Sequence, residues 1–522
     1  MESIYAQLPR HFNVASYFIE NALLEGRLNS PAYLFPEGSL SFGEVKRSVR
    51  HMAAFLQELD LEWEQRVALL LPDSPELVIA FWGSVWAGAV PVPINTAYRP
   101  DDIRYILEDC RAKVVVTNRA WRDQLADHLT AFQERLVVVD EPPSLLSLLD
   151  TVTREPDAAT TTRDDVAFWL YTSGSTGRPK GVIHLHHDMV VCAELYAKHI
   201  LGLHADDVAY SVARIPFAYG LGNTLYMPMA VGAAAVLSDA VNAFDVIADI
   251  HRYRPSIFFG IPGVYAALLN VQELAPLDPS SLRLCVSAAE QLPPSAWYRW
   301  RERFGLEICE GIGTTELLHI FLSNKPGQCK PGSSGRDVPG YMVRIVDERG
   351  TPVQPGDVGD LEVGGESLML GYWNRHQETR EAIYGDYMKT GDKYFADEDG
   401  YYYFAGRRDD RFRVNGQWVL PFEVEDVLLQ YPGVQDAAVI AEVDEEKGQA
   451  RVIAYITLHP DTVPSVDLER LLKKHAKQRL SHVKVPQRIL FVPAIQRTAT
   501  GKIDRQYLRK QALSVTKEVE II

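Results

Sequence analysis

The 522-residue chain is 47% hydrophobic and 23% charged, the composition of a soluble globular protein and, at this length, of two or more domains. A formal net charge of −16 and the lack of any basic run argue against a nucleic-acid partner, so anionic ligands must be met by local donors. Five scattered cysteines (Cys110, Cys192, Cys285, Cys309 and Cys329) never form CxxC, which argues against a disulfide framework or a zinc site and favours a reducing cytoplasm.

The first residues, MESIYAQLPRHF, carry no basic-then-apolar signal pattern. Phe42 to Leu59 is helical in period, Gln65 to Leu71 is strand-like, and Pro75 to Ala87 is helical again. Ala89 to Pro93, Asp101 to Glu108 and Ala112 to Thr117 continue the alternation, which reads as an α/β layer with parallel strands. The uncharged runs Leu77 to Tyr98 and Ile215 to Ser238 each reach the length of a membrane span. Prolines and glycines interrupt both, so core helices and strands are expected in place of a span.

Val166 to Leu170 reads as a buried strand. It runs into Tyr171–Gly181, YTSGSTGRPKG. Its glycines free the backbone so that amides can converge on an anion, its hydroxyls donate, and Lys180 adds positive charge. That combination suits a polyphosphate. The spacing is not that of a Walker loop, because Arg178 and Pro179 separate Gly177 from Lys180, and no GxGxxG is present.

Val208 to Val212, Ala234 to Leu237, Ile257 to Phe259 and Leu282 to Val286 are short apolar runs between helical stretches. Gly311-Ile312-Gly313-Thr314-Thr315-Glu316 is a glycine-rich turn ending in hydroxyls and a carboxylate, a donor set suited to phosphate and Mg²⁺. Residues 340 to 405 alternate strands with turn chemistry and read as β-rich. Lys389-Thr390-Gly391-Asp392 is followed by Gly406-Arg407, and a boundary is expected near Gly406 to Asp410. A compact α+β unit follows, with strands at Val434 to Glu442, Arg451 to Leu458 and Arg488 to Val492 and a helix over Val466 to Arg479. It ends in Arg497-Thr498-Ala499-Thr500-Gly501-Lys502.

These four motifs, in this order, resemble those of the adenylate-forming enzymes: acyl-CoA synthetases, luciferases and peptide-synthetase adenylation domains. The resemblance covers essentially the whole chain. It implies an α/β multidomain fold, with a large N-terminal domain (1–406) of two α/β subdomains plus a β-barrel. A small mobile α+β C-terminal domain (410–522) would follow a hinge near 407–410 at Asp409. It implies that ATP is held by Thr172, Ser173, Gly174, Ser175, Thr176 and Gly177, by Ala289, Glu290, Glu310, Gly311 and Ile312, and through its ribose by Asp392 and Arg407. Lys180, Thr315, Glu316 (with Mg²⁺) and Lys502 would serve adenylation, and Gly416 would line the path of the thiol of coenzyme A.

The substrate segment Ile215-Pro216-Phe217-Ala218-Tyr219-Gly220-Leu221-Gly222-Asn223 carries Tyr219 where many relatives carry His. It lacks the Asp of amino-acid-activating domains. With Leu317-Leu318-His319-Ile320 it resembles the benzoate-CoA ligase branch. That implies a flat aryl acid held by Ala218, Tyr219, Gly313, His319 and Ile320, with benzoate, 2-aminobenzoate and hydroxybenzoate all left open. The acceptor is expected to be CoA, with a carrier-protein thiol as the alternative, and the protein a cytoplasmic monomer or homodimer with no membrane or nucleic-acid partner. A luciferase-type oxygenation would use the same adenylation parts. A non-enzymatic ATP-binding module would be expected to lack Lys502 or Glu316, and both are present.

Overall fold

The computed structural model describes residues 2–24, 26–173, 178–407, 412–414, 417–444, 449–459, 461–497 and 503–511. Gly174, Ser175, Thr176, Gly177, Asp409, Gly416 and Lys502 lie outside them.

The first layer is a four-stranded parallel sheet in the order Val90–Pro93, Arg66–Leu70, Val114–Thr117, Leu136–Val138. Val67 to Leu70 are fully buried; a parallel strand is covered on both faces and therefore reads as a continuous apolar run. Helix Phe42–Glu58 begins at Ser41, which forms a reciprocal capping box with Glu44. Helix Pro75–Trp86 starts with proline in its first turn and Ser74 as cap. The two helices touch through Gly83, where a Cβ would lie 2.6 Å from Met52 Cγ.

The second layer is a nine-stranded sheet. Its order is Arg336–Asp337, Ile320–Ser323, Ile308–Gly313, Leu284–Ser287, Ile257–Gly260, Val208–Ser211, Ala234–Val236, Pro31–Phe35, Gly38–Ser41. The strands from Pro31–Phe35 to Ile308–Gly313 are mutually parallel. Ile320–Ser323 then returns antiparallel, with an irregular register between Ile312 and Gly313. In an open α/β sheet, ligands bind outside the carboxyl ends of the strands. Here those ends are Ser211, Gly260, Ser287 and Gly313.

Both span-length runs resolve into shorter elements. Leu77 to Tyr98 is most of helix Pro75–Trp86 followed by strand Val90–Pro93. Ile215 to Ser238 is helical from Ala218 to Val231, with a widened π-type stretch at Leu221–Tyr226, and then strand Ala234–Val236. Among the described residues no helix is long and apolar enough to cross a membrane.

The β-rich region is a five-stranded antiparallel sheet of Met342–Val346, Gly359–Gly364, Tyr387–Ala396, Ile383–Tyr384 and Tyr402–Arg407. A separate hairpin, Val166–Ser173 with Pro179–Leu185, brackets residues 174–177 and is edged by Gly371–Tyr372. The smaller C-terminal domain has a sheet of Val434–Asp444, Gln449–Leu458 and Arg488–Phe491, preceded by a short antiparallel pair, Phe412–Val414 with Gln417–Val419. Helices Pro421–Leu429 and Val466–Lys477 accompany it, the second capped by Ser465.

Replacing Gly83 by Val is expected to lower stability by about 1–3 kcal/mol through overpacking, read as a lower midpoint in urea. An unchanged midpoint would mean that Met52 swings clear.

Candidate active site

A cavity of about 910 Å³ opens at the carboxyl ends of the parallel strands. The large sheet supplies Ala289, Glu290, Glu310, Gly311, Ile312 and Gly313; the antiparallel sheet supplies Asp392 and Gly406; the C-terminal domain supplies Glu425, Asp436, Arg497 and Ile503. The cleft therefore lies between the two domains.

Its floor is the end of strand Ile308–Gly313, and crowding explains the glycines there. A Cβ on Gly311 would sit 2.9 Å from both Ile320 Cγ2 and the Leu322 carbonyl oxygen, and one on Gly313 only 2.3 Å from the His319 carbonyl oxygen. Glu310 is buried and accepts the Leu292 N–H at 3.1 Å. Burial pushes its carboxyl up to about 8 against the lowering effect of that hydrogen bond. Asn324 pins the Glu310 carbonyl through its N–H at 2.8 Å and its Nδ2 at 3.2 Å. Asp392 is buried and stands directly opposite Arg407 in the antiparallel ladder, so residues fifteen apart in sequence are neighbours in space. Ala289 holds φ at 75°, a left-handed conformation unusual for alanine. Glu290 beside it accepts the Ile503 N–H at 3.2 Å and lies 3.6 Å from the Arg497 guanidinium, which also donates to Asp436 at 2.7 Å.

Beyond Gly313 the chain makes a tight turn, Thr315–Leu317, capped by the Thr314 hydroxyl. Tyr372 donates its hydroxyl to Glu316 Oε1 at 2.6 Å, and the Met369 N–H donates to the Glu316 carbonyl at 2.8 Å. The Tyr372 ring lies 5.0 Å below the Lys180 ammonium, which pairs with Glu378 at 2.5 Å. Lys180 faces Thr172 across the hairpin. The structure thus brings Lys180 and Glu316 together on Tyr372, a residue that no sequence pattern marked.

The segment Ile215–Asn223 packs against His319, which abuts Gly313. Ala218, His319 and Ile320 are buried, and Tyr219 is mostly so. Tyr219 donates its hydroxyl to the Gly260 carbonyl at 3.3 Å, and its ring stands 5.7 Å from that of His319. His319 Nε2 is 3.3 Å from the Tyr219 carbonyl oxygen, which fixes Nε2 as the protonated nitrogen, while buried Nδ1 has no partner among the described residues. Burial pushes this imidazole down to about 3, against the raising effect of that hydrogen bond, so it is neutral. Tyr196 and Tyr226 complete the ring of aromatics, at 5.3 and 6.5 Å from His319. Gly222 is obligatory, since a Cβ there would lie 2.4 Å from His319 Cδ2. Asp73 holds the start of the segment by accepting the Ile215 N–H at 3.1 and 3.2 Å. Burial raises its carboxyl to about 7, although nearby Arg214 opposes this. Asp73 lies 142 residues from Ile215, and nothing local in the sequence marks that tie.

The family model for AMP-binding enzymes matches residues 20–373, and that for the AMP-binding enzyme C-terminal domain matches residues 423–502. The chain is 39% identical to a 4-hydroxybenzoate–CoA/benzoate–CoA ligase of Rhodopseudomonas palustris, over 97% of this chain and 95% of that one. It is 39% identical to a benzoate–CoA ligase of Thauera aromatica, over 96% and 97%. The crystal structure of the anthranilate CoA ligase AuaEII in complex with anthranoyl-AMP superposes with a TM-score of 0.94 at 38% identity, covering 98% of this chain and 99% of that one.

Because the folded value of His319 lies below the ordinary 6.5, the unfolded chain takes up the proton first, and stability is lost as pH falls from about 6.5 towards 3. His319→Asn removes that term. Its loss of stability between pH 7 and pH 5 is expected to be smaller than that of the parent by about 2 kcal/mol. Superimposable pH–stability curves would show that the imidazole is protonated in place.

Proposed function

The chain belongs to the AMP-binding enzyme family, and on that premise we propose that it is an aryl-CoA ligase acting on benzoate or a 2-aminobenzoate-type acid. It is an ATP-dependent acid–thiol ligase. One carboxylate oxygen of the acid attacks the α-phosphorus of ATP, the bond to the bridging oxygen breaks, and pyrophosphate leaves. The CoA thiol then attacks the aryl-AMP carbonyl, forming the thioester and releasing AMP.

The observation that best supports an aryl acid is Gly313. It lines the interdomain cavity, and the place of its missing side chain is taken by the main chain of His319 and Ile320, beside the cluster of Tyr219, His319 and Tyr196. A flat acid seated between Tyr219, His319 and Ile320, with Ala218 leaving room for its ring, would present its carboxylate past Gly313 to a nucleotide in the cavity.

The remaining roles follow from position. Ile312 and Ala289 border the adenine, and Glu310, largely neutral at pH 7, offers it both a donor and an acceptor. Asp392 and Arg407 share the ribose hydroxyls, since a carboxylate accepts two vicinal O–H donors well. Thr172 to Gly177 and Lys180 meet the phosphates, with Lys180 exchanging Glu378 for phosphate oxygen. Mg²⁺ fits Glu316: the ion takes one or two carboxylates plus phosphate oxygens, and Tyr372 already orients this one. When bound, the metal neutralises phosphate charge.

Lys502 serves adenylation alone. Ile503, the next residue in sequence, donates its N–H to Glu290 at the cavity wall. A swing of 410–522 about Asp409, in the 407–410 hinge, would then withdraw Lys502 and bring Gly416 to the thiol path.

Pyrophosphate release screened over benzoate, aminobenzoates, hydroxybenzoates, phenylacetate, amino acids and fatty acids, with and without CoA, tests this reading. Release is expected only with small aryl acids, and silence across the panel would refute the ligase reading. Lys502→Ala is expected to slow aryl-AMP formation about 10²–10³-fold while sparing thioester formation from supplied benzoyl-AMP. Equal loss in both steps would reject domain alternation.

A further inference from the structure

We infer that His184 and Asp188 are positioning residues for adenylation: a buried, net-neutral imidazole–carboxylate pair that holds the Thr315 carbonyl and thereby sets the Thr315–Glu316 turn. This rests on the reading of that turn as the phosphate- and metal-contacting element.

His184 sits near the end of strand Pro179–Leu185, four residues after Lys180. Strand side chains at that spacing share a face. His184 Nε2 lies 2.8 Å from the Thr315 carbonyl oxygen, and Nδ1 lies 2.7 Å from Asp188 Oδ2. Both side chains are fully buried. The Phe168 ring stacks on the imidazole at 5.2 Å and 16°.

Hydrogen-bond chemistry fixes the protons. A carbonyl only accepts, so Nε2 carries N–H. Asp188 Oδ2 also accepts the Leu185 N–H at 3.1 Å. The Nδ1–Oδ2 bridge therefore holds one proton, and whichever atom carries it, the pair has no net charge. His187 Nε2 stands 3.1 Å from the other carboxylate oxygen.

A buried polar pair is a weak stabiliser compared with apolar packing, so its location is informative. It grips the backbone of Thr315 while Tyr372 grips the carboxylate of Glu316. The two side chains reach the turn from adjacent strands of one sheet, the sheet that also carries Lys180. The phosphate-binding strand and the metal turn are thus registered on each other. A misplacement of about 1 Å at such a turn costs about 10²-fold in rate.

The geometry separates conservative substitutions. In Asp188→Asn, turning the amide oxygen towards Nδ1 demands Nδ1–H, leaving either a bare Nε2 against a carbonyl or an unpaired buried imidazolium. Turning the amide nitrogen towards Nδ1 sets a donor against the Leu185 N–H. Gln at 184 donates to Thr315 without help from residue 188, whereas Asn at 184 is one methylene short.

The test uses the full chain. ATP–pyrophosphate exchange with saturating aryl acid is measured beside thioester formation from supplied aryl-AMP and CoA, with melting curves for every variant. His184→Leu and Asp188→Asn are expected to lower exchange kcat by about 30–100-fold. The KM for aryl acid and the thioester step should stay within about twofold of the parent. His184→Gln should recover to within about tenfold of it, and adding Asp188→Asn to His184→Gln should cost no more than about threefold further. If His184→Leu does not fold, His184→Asn replaces it and must fall with Leu rather than with Gln. Full exchange activity in the Leu or Asn variant, equal loss of both half-reactions, or no difference between Gln and Asn would overturn the inference. An inactive parent enzyme would instead refute the ligase reading.

Discussion

Gly313 lines the interdomain cavity and at the same point abuts the main chain of His319, and much of the site is arranged about that close approach. Gly313 has no room for a side chain because the His319 carbonyl lies where a Cβ would go. The antiparallel return of Ile320–Ser323, with its irregular register at Ile312 and Gly313, produces that approach. Gly222 then leaves space for the His319 ring on the far side. On the proposed reading, a nucleotide in the cavity and an aryl acid beside His319 would meet at this close approach.

The regular elements were legible because they obey a period. Phe42–Glu58, Arg66–Leu70, Pro75–Trp86 and the C-terminal strands lie where their apolar spacing places them, and the resemblance carried by the four motifs holds at the level of family and fold. Less legible were ties between distant segments. His184 reaches Thr315 across 131 residues, Asp73 reaches Ile215 across 142, and Tyr372 reaches Glu316 across 56. A single tyrosine, or a histidine four residues before an aspartate, has no periodicity to announce it. The motif glycines were visible as a motif, but the reason for them, contact with particular carbonyl and methyl groups, belongs to the packed molecule.

The electrostatics show why global charge says little about the site. The chain is strongly acidic, yet the cations at the cavity and beside the Glu316 turn stand in local pairs: Lys180 with Glu378, and Arg497 with Asp436 and Glu290. Such pairs hold positive charge in place and can trade a carboxylate for a phosphate. His319 is neutral, so on the proposed reading the ring of an aryl acid would meet an uncharged aromatic wall.

The meeting of the two domains bears on speed. No buried apolar cluster among the described residues draws members from both sides. Hydrogen bonds and ion pairs do cross: Ser295 to Asp426, and Glu290 to Ile503 and Arg497. Water can replace each of these partners as it lets go, and parting the halves breaks up none of the apolar clusters. On the proposed domain swing, a seam held by such polar contacts would part faster than one built on a shared apolar core.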